Sequence, residues 1–186
     1  MRTHVALLRG INVGGRNKVA MAELAALVSG LGHSEVATYI QSGNVVFRSP
    51  GSSAAALSAE LENAIADRFA VNVPVIVISA AELADVITAN PYPDVTEHRY
   101  LHAFFRADEF SAQQLSALRD AQDKASTKGS PDEAMIVGRT LYLHTPGGMG
   151  RSELAGLLNR GGKASPIAAG TARNWATVLK LHALLA

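Results

Sequence analysis

No cysteine occurs among the 186 residues, which rules out a disulfide framework, thiolate catalysis and cysteine-held zinc together, and fits a reducing compartment. Aromatic residues are scarce at 5%, with one tryptophan. The apolar runs at residues 5–8 and 45–47, read below as sheet strands, offer one aromatic between them, Phe47. An RNA-recognition sheet needs a larger stacking set. No stretch approaches the roughly 18 consecutive apolar residues of a membrane helix. The first apolar run follows a single Arg2, is too short for a signal-peptide core, and leads to Arg9 rather than a small-residue cleavage site. The expectation is a cytoplasmic protein with no membrane partner. Carboxylates are missing from residues 1–22, which carry Arg2, Arg9, Arg16 and Lys18.

What is present is an ordinary globular composition, 48% hydrophobic and 18% charged. A chain this long buries roughly 70% of its unfolded surface, so it needs no metal or disulfide to fold. The formal net charge of +1 conceals an uneven distribution. Both ends are basic: after residue 133 Glu153 is the only acid, while residues 23–133 are strongly acidic. Were the two ends to meet, they would make a positive surface that attracts anions; scattered over a solvated exterior, the same charges would do nothing in particular.

Hydrophobic periodicity alternates strands and helices. Residues 3–9 read as a strand and 21–31 as a helix ending at Gly32. Residues 36–41 and 44–48 form a hairpin around Ser42 and Gly43, 54–69 a helix, and 73–78 a strand. This βαββαβ order is that of the ferredoxin-like unit. The apolar run 73–78 suits a sheet covered on both faces. A short helix at 80–89 ends at Asn90 and Pro91, placing a boundary between subdomains 1–89 and 90–186 that share a core. Beyond it, strand 100–106, helix 111–124 capped by Ser111, hairpin 134–144, helix 151–159 and helix 171–185 spell βαββα(α). The fold class is α+β, a ferredoxin-like N-terminal half with a second half packed against it.

Three segments carry candidate chemistry. The run LRGINVGGRNK beginning at Leu8 combines cations, glycines and asparagines without a carboxylate, a composition suited to holding an anion. In a sheet of spatial order 4-1-3-2 the exit of the first strand and the second hairpin lie at one end. That grouping makes Arg9, Asn12, Gly14, Gly15, Asn17, Lys18, Gln41, Ser42 and Asn44 neighbours and candidate ligand contacts, although asparagine and serine also cap turns. The run PGGMGRS beginning at Pro146 offers Gly150, Arg151 and Ser152 before a helix; it lacks the Walker A spacing, and Ser152 also suits a plain helix cap. The run TARNW beginning at Thr171 puts Arg173 and Asn174 in an expected first helical turn, with Thr171 as cap and Trp175 as a core anchor.

Together the motifs LLRGINVGG from Leu7, TYIQSGNVVF from Thr38, NPY from Asn90, GRS from Gly150 and TARNW from Thr171 make a chain that resembles the bacterial domain-of-unknown-function family 1697. The resemblance spans nearly the whole sequence and implies a two-part α+β protein. It brings no activity or catalytic residues. Arg16 and Ala20 stand where many members carry lysine and proline.

Catalytic sets are poorly represented. His98 and His102 lack a third ligand, so no metal site is expected; Ser42 is not in a nucleophile elbow; His4 and His144 could act as acid or base only if a substrate bound between them. No motif calls for a cofactor. The reading favoured is binding of a phosphorylated or carboxylated small molecule in a basic pocket formed by the loop after the first strand and the glycine-rich helix starts of the C-terminal half. The alternatives are a nucleic-acid-binding module and an enzyme of phosphoryl or nucleotidyl transfer.

Overall fold

The computed structural model describes residues 1–51 and 53–186. Among them no helix is long and apolar enough to cross a membrane. The chain divides into two compact units, Met1–Asp85 with Leu179–Ala186, and Val86–Val178.

Unit 1 runs β1 (His4–Leu8), α1 (Met21–Gly30), β2 (Ser34–Tyr39), β3 (Asn44–Arg48), α2 (Ala54–Phe69) and β4 (Val75–Ser79), followed by α3 (Ala80–Thr88), whose last residues belong to unit 2. The sheet order is β2-β3-β1-β4, with every pair antiparallel. Leu7 and Tyr39 both pair with Asn44, and Leu8 pairs with Val75. The exit of β1, the β2–β3 turn and the start of β4 therefore share one end of the sheet. Helix α2 forms because Leu57, Leu61 and Ile65 recur every fourth residue; they pack on Ala6, Leu8, Val45, Phe47, Val75 and Val77. The alternate side chains Val5, Leu7, Val46, Ile76 and Ile78 are buried too, so neither face of this sheet lies open. Its two edges are managed differently. At β4, the Val75 and Val77 amides donate to Glu62 Oε1 at 2.8 Å and Ser58 Oγ at 3.1 Å of α2. The β2 strand is interrupted by a register shift between Ser34 and Ala37, with Glu35 at φ 52. Both devices use up or distort backbone groups that could otherwise pair with another strand.

Unit 2 holds β5 (Leu101–Phe105), α4 (Ala112–Thr127), β6 (Glu133–Val137), β7 (Thr140–His144), α5 (Glu153–Arg160) and β8 (Thr171–Asn174), followed by α6 (Trp175–Leu185), whose first residues belong to this unit. Its antiparallel sheet, β6-β7-β5-β8, repeats the spatial order of the first. The core pairs Phe104, Leu141 and Leu143 with Leu118, Ala121, Leu154 and Leu158. Ser111 caps α4 reciprocally with Gln114, as its position before the apolar stripe suggests.

One element differs from the sequence reading. Residues 171–174 form β8 rather than the first turn of the closing helix, so the second half is βαββαβ followed by a helix. The cause is pairing: Phe105 to His102 face Thr171 to Asn174 along a free edge of β5, and the segment alternates buried, exposed, buried. Thr171 is accordingly not the helix cap. Asn174 takes that role, its Oδ1 accepting the Thr177 amide at 2.9 Å. Arg173 lies in the strand, so it does not oppose the dipole of α6.

Candidate functional site

The segment between β1 and α1 folds as a small projecting hairpin. Val13 and Arg16 bridge, with the Arg16 amide donating to the Val13 carbonyl at 3.0 Å. Gly14 and Gly15, at φ 57 and 76, form the two-residue tip that such a turn demands. At its base Asn12 acts as a clasp: its Oδ1 accepts the Val19 amide at 2.9 Å, and its Nδ2 donates to the carbonyls of Val19 at 2.9 Å and Gln41 at 3.0 Å. Asn17, at φ 49, donates from Nδ2 to the Gly10 carbonyl at 3.0 Å. Buried Ile11 and Val19 root the base in the core of unit 1.

The β2–β3 turn sits directly beneath. The Leu8 amide donates to the Gly43 carbonyl at 2.8 Å, and buried Asn44 donates from Nδ2 to Tyr39 O at 2.9 Å and Ser42 Oγ at 3.0 Å. The structure thus brings together Arg9, Asn12, Gly14, Gly15, Asn17, Lys18, Gln41, Ser42 and Asn44, as the strand order requires. It also divides their roles. The three asparagines spend amide hydrogens on neighbouring oxygens within the loops, whereas among the described residues the side chains of Arg9, Arg16 and Lys18 form no ion pair or hydrogen bond and the Gly14 and Gly15 amides find no acceptor. The candidate set drawn from the sequence omits Arg16, although its charge was legible, and omits Ile40, which stands in the β2–β3 turn at φ 49 and 51% exposed. No sequence signal marks an isoleucine for that conformation.

In unit 2 the glycine-rich turn is committed internally. Gly150 and Arg151 lie in a short 3-10 turn after Gly148, and Arg151 Nε donates to the Gly147 carbonyl at 3.1 Å. Ser152 caps α5, accepting the Ala155 amide at 2.9 Å, and donates to Asp132 Oδ2 at 2.8 Å. That same carboxylate oxygen accepts Ser130 Oγ at 2.6 Å and the Leu154 amide at 3.3 Å. The positive end of α5 therefore already faces an anion of its own chain. Arg173 is buried, donates from Nη1 to the Ala172 carbonyl at 2.8 Å, and is pushed down to about 10 by burial.

His4 lies against Phe47 with ring centroids 5.8 Å apart and its Nδ1 2.8 Å from Thr3 Oγ1; His144 is 3.5 Å from Glu133 and packs beside Tyr92. Burial pulls the His4 and His102 imidazoles below 6.5, with His33 adding to the effect at His4 and Glu82 opposing it. The unfolded chain then protonates first as pH falls through 6.5, so stability is present above that pH and is lost on acidification. The urea midpoint should be lower at about pH 5.5 than at about pH 7.5, and His102→Gln should narrow the difference. Equal midpoints at the two pH values would contradict this. Among the described residues no group of three or more His, Asp or Glu side chains is arranged to hold a metal ion.

The family described as a protein of unknown function (DUF1697) matches residues 1–142. Among solved structures the chain is similar to the conserved bacterial protein SP0830 from Streptococcus pneumoniae, at 23% identity and a TM-score of 0.74, covering 100% of this chain and 99% of that one; this likeness is one of fold. No curated protein matches.

Proposed function

For a chain that belongs to DUF1697, a family of bacterial proteins of unknown function, we propose that the hairpin after β1 binds a small molecule through its phosphate or carboxylate group. One observation carries the reading: two glycine amides at an exposed tip, without internal acceptors, stand among Arg9, Arg16 and Lys18, none of which has a carboxylate partner among the described residues. Consecutive amides of residues at positive φ, flanked by cations, are what an oxyanion accepts from a protein backbone, and arginine adds bidentate donors. Asn12, Asn17 and Asn44 serve this reading indirectly, by holding the turn in shape before ligand arrives. Unit 2 adds no support, because Ser152 and the start of α5 already hold Asp132. The buried faces of the first sheet also leave no platform for stacked RNA bases.

A thermal-shift screen of phosphorylated and carboxylated metabolites tests this. A ligand present at a hundredfold excess over its Kd should stabilise the protein by about 2.7 kcal/mol. The shift should vanish in Arg16→Ala/Lys18→Ala, whose exposed side chains make no hydrogen bond or ion pair among the described residues. No shift with any anion, or a shift that survives the double substitution, would refute the site.

A further inference from the structure

Among the described residues, two of the six large apolar side chains left exposed are Val13 at 66%, on the basic hairpin, and Ile40 at 51%, on the β2–β3 turn beneath it. Those loops are tied together by the bond from Asn12 Nδ2 to the Gln41 carbonyl, which follows Ile40 directly. Ile40 is also the one β-branched residue among those at positive φ in the described chain. Asn12 and Asn17 suit that region because asparagine tolerates it, and Ala70 occupies the end of α2, where a left-handed residue is usual. Isoleucine has neither excuse. An apolar side chain that is held in a disfavoured conformation and left half in water contributes little to folding, and such residues concentrate where something binds. Every charge supplied by the neighbouring segment, residues 9–18, is positive.

We propose, resting on the anion-binding reading above, that the ligand is an amphipathic anion, a phosphate or carboxylate bonded to an apolar body, with Gly14, Gly15, Arg16 and Lys18 taking the charged end and Val13 and Ile40 receiving the body. The body is either an alkyl chain or a planar base. Both present apolar surface that the two branched side chains can cover.

Titration calorimetry with methyl phosphate, hexyl phosphate and adenosine monophosphate decides the matter. The wild-type protein should bind hexyl phosphate or adenosine monophosphate at least about tenfold more tightly than methyl phosphate, and the preferred probe identifies the kind of body. Ile40→Asn, which suits the backbone conformation and should raise the melting midpoint, ought to remove most of that preference while leaving methyl phosphate affinity unchanged. Val13→Thr, which keeps the branched shape of the bridge, should act in the same direction. Equal affinity for all three probes would overturn the amphipathic assignment and leave the anion site standing. A preference that persists in Ile40→Asn would also overturn it. Failure of every probe to bind would overturn both.

Discussion

Replacing Gly43 with alanine is expected to destabilise the protein by about 3–5 kcal/mol, from overpacking and a disfavoured backbone angle together. An added Cβ would lie 2.7 Å from Leu8 Cβ, 2.9 Å from Ile11 Cδ1 and 3.0 Å from Ile11 Cγ1, and the residue sits at φ +80. The Ile11 methyl could rotate away. The Leu8 Cβ could not, because it is fixed to β1, whose Leu8 amide is hydrogen bonded to the carbonyl of Gly43 itself. Relief would require the β2–β3 turn to lift off the end of the sheet and break that bond. Gly15→Ala is the control: its φ of +76 is similar, but nothing lies within 4 Å of the added methyl. It should cost only about 1 kcal/mol. Urea unfolding of the two variants separates the terms, and equal losses would show that the backbone angle, not the close approach, makes glycine necessary at residue 43.

The close approach at Gly43 also shows which parts of the fold were legible in the sequence. Periodicity located β3 at Asn44–Arg48 and α2 at Ala54–Phe69, the first because the turn at Ser42 and Gly43 precedes it and the second because Leu57, Leu61, Ile65 and Phe69 lie on one stripe. Once the strand order 4-1-3-2 was assumed, the meeting of the Arg9–Lys18 segment with the β2–β3 turn followed from chain direction alone. β8 was not legible. Four residues are too few to show alternation, and Thr171 reads equally well as a strand residue or a helix cap; only the free edge of β5 decides between them. The site was legible in charge and glycine content but not in the division of labour. Asn12 and Asn44 look like ligand donors in sequence, yet in the structure they are occupied by carbonyls that arrive from 7 to 29 residues away for Asn12 and from Tyr39 for Asn44. Long-range backbone partners of a side chain leave no local pattern. Ile40 was invisible for a related reason, since its left-handed angle is imposed by the turn and not by its own preference.

Asn12→Ala should be the most damaging truncation of a polar side chain in the hairpin, costing about 3 kcal/mol, at roughly 1 kcal/mol for each of three lost hydrogen bonds. The Val19 amide loses its acceptor, and the carbonyls of Val19 and Gln41 lose a donor. Alanine is also less at ease than asparagine at φ 53. Because Val19 is buried at the foot of the turn, its unpaired amide cannot be rescued by solvent without opening the base. The hairpin should then detach locally before the sheet unfolds. Hydrogen exchange at Val19 should accelerate by more than at Val45 or Ala6 in the two central strands of the sheet. Asn12→Asp sharpens the test. It retains an oxygen for the Val19 amide but turns a second oxygen toward the two carbonyls, so it should also destabilise the base, through repulsion instead of loss. A ligand contact would behave otherwise: Asn12→Ala would abolish the anion-induced thermal shift while leaving stability and Val19 exchange untouched. That result would transfer Asn12 from the framework of the turn to its binding surface. Loss of stability together with weakened binding is the outcome the clasp geometry requires.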